Sequence, residues 1–251
     1  MKNLFYFIFI LLFASCAEEN EKLTANQIID KAIENAGGER YKNAEIDFSF
    51  RNREYKSTRN GGKYRLERKM KDSLGNNIHD ILDNDGLERF VNDSVVQVQD
   101  SLVVPIGNSV NSVHYFVHLP FGLNAQAAQK ELLGKDSIAG REYYEVKVTF
   151  AENGGGTDHE DEYLYWIDTK NYEVDYLAYN FEENGGGVRF RKAFNHRLIE
   201  GIRFVDYENY KYQDISVPLR SLDSLYEQRE LDLLSLIETK DVRVKLGSDS
   251  N

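Results

Sequence analysis

Apolar residues alternate with polar ones through most of this chain, and that period of two confines it to sheet architectures. Ile46, Phe48 and Phe50 alternate with Asp47, Ser49 and Arg51, and Tyr144, Val146, Val148 and Phe150 share another face. Alternation places every second side chain on one side of a strand, so each segment predicts a half-buried strand. Asn60-Gly61-Gly62 signals a hairpin turn with a return strand over 64–70. Shorter strands are expected near 78–82, 87–91 and 95–98, then at 163–167, 174–181, 188–194 and 202–212, with a last one within 231–245. Strands that follow one another along the chain pair antiparallel, and without strand–helix alternation there is no means of building a parallel barrel or a doubly wound sheet.

Helical spacing appears at three places. Ile28, Ile29, Ala32, Ile33 and Ala36 form one apolar face over 25–36, with Thr24 or Asn26 as cap and Gly37-Gly38 as stop. Val110, Val113, Phe116 and Val117 predict a central helix over 106–119, closed by Pro120 and Gly122. A short helix is expected over 221–228. The predicted order is therefore a helix, about five strands, a central helix and about six strands. The 41% apolar content and the 30 Tyr and Phe residues, 16 and 14 respectively, suffice for a buried core rich in strands. A formal charge of −11 argues against nucleic acid as a partner.

The N-terminus carries an address. Lys2 precedes an unbroken apolar run from Leu4 to Ala14, too short for a permanent span but suited to the core of a signal peptide. Ala14-Ser15-Cys16 resembles the lipobox of bacterial lipoproteins, with Phe13 where Leu is commoner. The resemblance implies a signal peptide over 1–15 and lipidation at Cys16. As the chain's one cysteine, Cys16 also leaves no partner for a disulfide and no Cys-based zinc site. Residues 16–24 read as an acidic tether, similar to the export signal of surface lipoproteins in Bacteroidota, or as a plain solvated linker. The phrase Asp-Ser-aliphatic, as in Asp72-Ser73-Leu74 and Asp100-Ser101-Leu102, recurs five times. It resembles a Bacteroidota O-glycosylation sequon and is equally ordinary turn and cap chemistry.

The helix ending in Ala36-Gly37-Gly38 and the later Tyr165-Trp166-Ile167-Asp168-Thr169-Lys170 resemble the LolA/LolB-like half-barrel superfamily, including uncharacterised secreted lipoproteins of Bacteroidota. The resemblance implies a mainly antiparallel β (α+β) fold over 25–251: a single domain forming an incomplete, open β-barrel of about 11 strands around the central helix. The anchor expected at Cys16 departs from a soluble carrier, so the expectation is a non-catalytic, lipid-anchored binding protein of the outer membrane, facing the periplasm or the surface. The expected partners are a lipid or other apolar ligand and the membrane that holds the anchor. Residues expected to line the concavity are Phe48, Phe50, Val113, Phe116, Tyr144, Val146 and Tyr165, with Arg189 and Arg191 as anion contacts. An equally simple reading makes the apolar ones ordinary core.

Chemistry has few footholds. The phrase Glu-Asn-Gly-Gly-Gly occurs at 152–156 and again at 183–187, the first copy followed by Asp158-His159-Glu160-Asp161-Glu162. Carboxylates on such a loop could hold a calcium ion, but the spacing matches no EF-hand or repeat loop. His114 and His118 stand four apart, a spacing that can grip a metal, but Tyr115 occupies the position of the glutamate in His-Glu-x-x-His. A satisfied pair at the helix surface is the simpler expectation. There is no P-loop, no Gly-x-Gly-x-x-Gly and no Gly-x-Ser-x-Gly elbow. The expectation is no catalytic residue, no metal and no cofactor. The alternatives from other classes are a metal-assisted hydrolase built on the glycine-rich loops and a scaffold for another envelope protein.

Overall fold

The computed structural model describes residues 22–151, 161–182 and 185–247. The leader, Cys16, most of the acidic tether, residues 152–160 and Glu183-Asn184 lie outside these residues. The first helix, α1 (Ala25–Asn35), starts on a capping box: the Thr24 hydroxyl accepts from the Gln27 N–H at 3.3 Å, and Gln27 Oε1 accepts from the Thr24 N–H at 2.8 Å. It stops where Gly37 takes φ 131° and Gly38 φ 54°. A β-carbon on Gly37 would lie 3.1 Å from the Gly201 carbonyl oxygen.

Fourteen strands follow among the described residues, arranged in two seven-stranded antiparallel sheets. The first sheet contains β1 (Ala44–Phe50), β2 (Arg53–Asn60), β3 (Lys63–Lys71), β4 (Asn77–Asp83), β5 (Gly86–Val91), β6 (Ser94–Val96) and β14 (Thr239–Leu246), in the order β14-β1-β2-β3-β4-β5-β6. The second contains β7 (Ala128–Ile138), β8 (Arg141–Phe150), β9 (Tyr163–Asp168), β10 (Val174–Phe181), β11 (Gly187–Ile199), β12 (Ile202–Lys211) and β13 (Asp232–Ile237), in the order β13-β12-β11-β10-β9-β8-β7. Only Glu238 separates β13 from β14, so the chain steps directly from the edge of one sheet to the edge of the other.

The count exceeds the expected eleven or so for three physical reasons. A tight turn at Arg51-Asn52, with Arg51 at φ 55°, separates β1 from β2 without a glycine to signal it. Strand β7 is largely polar (AQKELLGKDSI) and bulged near Gly134, so its alternation is faint. The final apolar run, expected as one strand, divides at Glu238 between the two sheets.

The second helix, α2, runs Asp100–Val117, beginning six residues before the expected start at Ile106. Pro105 is accommodated inside the helix. The third helix, α3 (Leu222–Glu227), matches its prediction closely.

Helix α2 touches both sheets. On the first, the Ser109 hydroxyl accepts from Arg68 at 2.7 Å, and His114 Nε2 lies 3.1 Å from the Glu67 carbonyl oxygen. On the second, the Tyr115 and Tyr165 hydroxyls are 2.7 Å apart, and the Phe116 and Tyr179 rings sit 5.4 Å apart. The core has three parts. Ile28, Ile29 and Ala32 of α1 pack on Val146, Val148, Tyr165, Ile167 and Leu177 of the second sheet. The opposite face of that sheet buries Trp166, Phe190 and Tyr143 beneath Leu222 and Leu231. A third cluster joins Tyr41, Ile46, Phe48 and Tyr55 to Ile202 and Phe204.

Candidate functional site

A groove runs along α2 where the two sheets face each other. Its apolar part, about 510 Å³, is lined by Phe50 at the end of β1, by Val113, Phe116 and Val117 on α2, and by aromatic residues of β9, β10 and β12. Tyr163, Tyr179, Phe181 and Tyr207 supply that aromatic wall, with Val205 and Ile237 beside them. Most of these side chains are half-buried, neither closed into the core nor free in solvent. The second part, about 930 Å³, is lined by Arg59, Asn108, Asn111, His114, His118 and residues of α1. Ser112, Phe116 and Tyr163 line both parts, so the two meet there. Each volume falls in the range of small-molecule sites, roughly 300–1,000 Å³.

Arg191 braces the aromatic wall. Its guanidinium carbon lies 3.9 Å from the Phe116 ring centroid and 5.1 Å from that of Tyr179. It donates to the Tyr179 hydroxyl at 2.7 Å and to Asn209 Oδ1 at 3.3 Å. Arg189 lies over Phe181 at 4.7 Å and donates to the Val188 carbonyl at 2.8 Å. Both cations rest on ring faces, where the aromatic quadrupole compensates part of the charge.

Of the nine side chains expected to line the concavity, Phe50, Val113, Phe116, Arg189 and Arg191 come together in the apolar part. Phe48, Val146 and Tyr165 are buried and line neither part. Phe48 shares a face with Phe50 but stacks on Tyr55 at 5.2 Å and meets His114 edge-on. Tyr144 stacks on Tyr172 at 6.2 Å, beside α1. The sequence reading did not single out Tyr163, Tyr179, Phe181 or Tyr207. Tyr163 continues the face of Tyr165, and Tyr179 is its cross-strand partner, a register that local patterning does not reveal.

His114 and His118 are both buried against the first sheet, not satisfied at an exposed helix surface. Burial, reinforced by nearby Arg59, lowers the His114 pKa to about 4, against the opposing hydrogen bond to the Glu67 carbonyl. Burial, then His114 and Arg59, likewise hold His118 well below the ordinary imidazole value. His118 Nε2 lies 3.3 Å from the Ser57 hydroxyl, which superficially resembles a nucleophile and its base. Ser57 is 1% exposed and lines neither part of the groove, and His118 Nδ1 has no partner among the described residues to orient the ring.

Two carboxylate clusters have the spacing of cation ligands. In Glu173, Asp175 and His196 the space is shared with guanidiniums: Arg141 lies 3.0 Å from Asp175, and Arg203 3.0 Å from His196. In Asp136, Glu145 and Asp223, Arg220 pairs with Glu145. Both read as ion-pair networks. The acidic loop of the hydrolase alternative lies outside the described residues except for Asp161 and Glu162, and Asp161 lines the groove.

A family model described as a family of unknown function, DUF6503, matches residues 2–239. The chain belongs to the DUF6503 family. No curated protein matches it. The solved structures to which this DUF6503 chain is similar include a LolA superfamily protein from Nitrosomonas europaea, at 13% identity and TM-score 0.47, covering 89% of this chain and 92% of that one. A DUF1329 family protein from Desulfovibrio piger matches at 11% identity and TM-score 0.49, over 90% and 95%. A putative outer membrane lipoprotein-sorting protein domain from Vibrio parahaemolyticus matches at 9% identity and TM-score 0.46, over 89% and 93%. Among the described residues no helix is long and apolar enough to cross a membrane.

Proposed function

We propose that this protein is a non-catalytic, lipid-anchored cell-envelope protein that holds an apolar or amphiphilic ligand, such as an acyl chain, along α2. In this reading the two sheets, linked at Glu238, act as one open half-barrel around that helix. The observation that carries it is the half-buried aromatic wall of Tyr163, Tyr179, Phe181 and Phe116 facing a 510 Å³ cleft. An alkyl chain laid there gains about 0.8 kcal/mol for each methylene removed from water. Phe50 and Val113 supply the opposite wall, and Arg189 and Arg191 the polar contacts. The chemistry of Cys16 and its neighbours supports an acyl anchor in the outer membrane, with the tether spacing the domain from the surface. An envelope protein that hands over or receives the ligand completes the proposed setting.

Extraction and mass spectrometry of the full chain, purified from its native envelope, test this reading. Acyl lipid is expected to co-purify, and Phe116→Trp, which fills the groove, is expected to abolish its recovery. Repeated isolation of lipid-free wild-type protein would refute the proposal.

A further inference from the structure

Four guanidiniums line the groove. Arg191 donates to Tyr179 and Asn209 and Arg189 to Val188, while Arg51 is exposed to solvent and lies over the Phe50 ring at 5.0 Å. Arg59, on β2, has no side-chain hydrogen bond or ion pair among the described residues. Its guanidinium lies 5.1 Å from the Phe121 ring centroid, and its Nε is buried without a partner. Burial lowers its pKa, with the Tyr64 and Tyr41 hydroxyls acting in the opposite sense. An uncompensated, largely desolvated cation is costly to keep unless something completes it.

A second observation comes from the neighbouring histidines. His114 and His118 are 1% and 3% exposed, and each keeps a buried Nδ1 without a partner among the described residues. His114 Nε2 donates to the Glu67 carbonyl, which leaves its Nδ1 as an acceptor that cannot bond a carboxylate, whereas His118 Nε2 can accept from the Ser57 hydroxyl and leave its Nδ1–H as a donor. Arg59, His114 and His118 therefore border one cavity with an unmet positive charge and unmet hydrogen-bonding nitrogens together. The cavity's three acids, Asp30, Glu34 and Glu39, lie on α1 and the turn after it: Asp30 accepts from Asn124 at 2.5 Å, and Glu39 pairs with Lys42 at 2.7 Å.

We infer that Arg59, flanked by His114 and His118, receives the anionic head group of an amphiphile whose chain lies in the adjoining aromatic cleft. This deepens the proposed function and rests on it. The head group is a carboxylate or phosphate, since both offer the oxygen pair that a guanidinium recognises. The route between the two parts passes Ser112, Phe116 and Tyr163, which line both.

Titration of the full chain with palmitate and with hexadecanol, two probes sharing a sixteen-carbon chain but differing in charge, tests the inference. Wild-type protein should bind palmitate tighter by roughly tenfold or more, the scale of one hydrogen bond to a charged group. Arg59→Gln should erase that preference by weakening palmitate binding far more than hexadecanol binding, and Arg59→Lys should restore part of it. Fluorescence of buried Trp166 reports whether each variant is folded. Equal wild-type affinities, or a preference that survives Arg59→Gln, would overturn the head-group assignment while leaving the apolar cleft intact. Binding of neither probe would refute the cleft, and the head-group site with it. Free acetate and inorganic phosphate separate an amphiphile from a loose anion: binding of either as tight as palmitate, lost in Arg59→Gln, would show a free-anion site and overturn the inference.

Discussion

Asp80 shows how single residues hold the groove in place. It is fully buried on β4, accepting from Arg68 at 3.1 and 2.7 Å and from Arg89 at 2.6 and 3.1 Å. Burial pushes its carboxyl up, but the hydrogen bonds from Arg89 and Arg68 outweigh that and hold it below the ordinary carboxylate range. Arg68 also reaches Ser109, so the network ties α2 to the first sheet. Asp80→Asn should cost about 3–5 kcal/mol in urea unfolding, because it strands a buried guanidinium. A loss under about 1 kcal/mol would mean the network behaves like an exposed ion pair. Nothing in the local sequence announces this: Asp80 and Arg68 lie on neighbouring strands, and only their register places them side by side.

Helix α2 is the element on which the site depends, and its histidine pair gives it a pH signature. In the unfolded chain each histidine takes up a proton near 6.5, whereas folded His114 resists protonation until about 4. As pH falls through that window the unfolded state binds more protons, so stability falls, by about 3 kcal/mol for His114 at pH 4. His118 acts in the same direction. Asp175 and Asp223, whose carboxyls burial holds above their ordinary values, act oppositely. The informative quantity is therefore the difference between wild type and His114→Phe, compared by thermal unfolding from pH 7 to pH 4. The variant should lose less stability on acidification whatever its absolute stability, and parallel curves would disprove a buried neutral His114. The existence of α2 was legible from Val110, Val113, Phe116 and Val117. Which face meets which sheet was not, because both faces are apolar enough to be covered.

At the scale of the molecule, the joint between the sheets borders the groove. Asp206 on β12 accepts from the Thr239 N–H at 2.9 Å, the Thr239 hydroxyl at 3.2 Å and Arg197 at 2.7 Å, pinning the chain where it leaves β13 for β14. Ile237 and Thr239 also line the groove, so a loosened joint is felt there directly. Asp206→Ala should cost about 3–5 kcal/mol and weaken hexadecanol binding in the same preparation. Unchanged binding would show that the joint does not set the groove. The sequence by itself determined the antiparallel strand class, the capped and glycine-stopped first helix and most strand positions, because period and turn chemistry are local properties. Only the tertiary structure decided that Phe48 is core while Phe50 opens to a cleft, that β13 and β14 belong to different sheets, and that Arg59 shares a cavity with two histidines. Those outcomes depend on cross-strand register and on what covers each face, and both are settled by contacts between residues far apart in the chain.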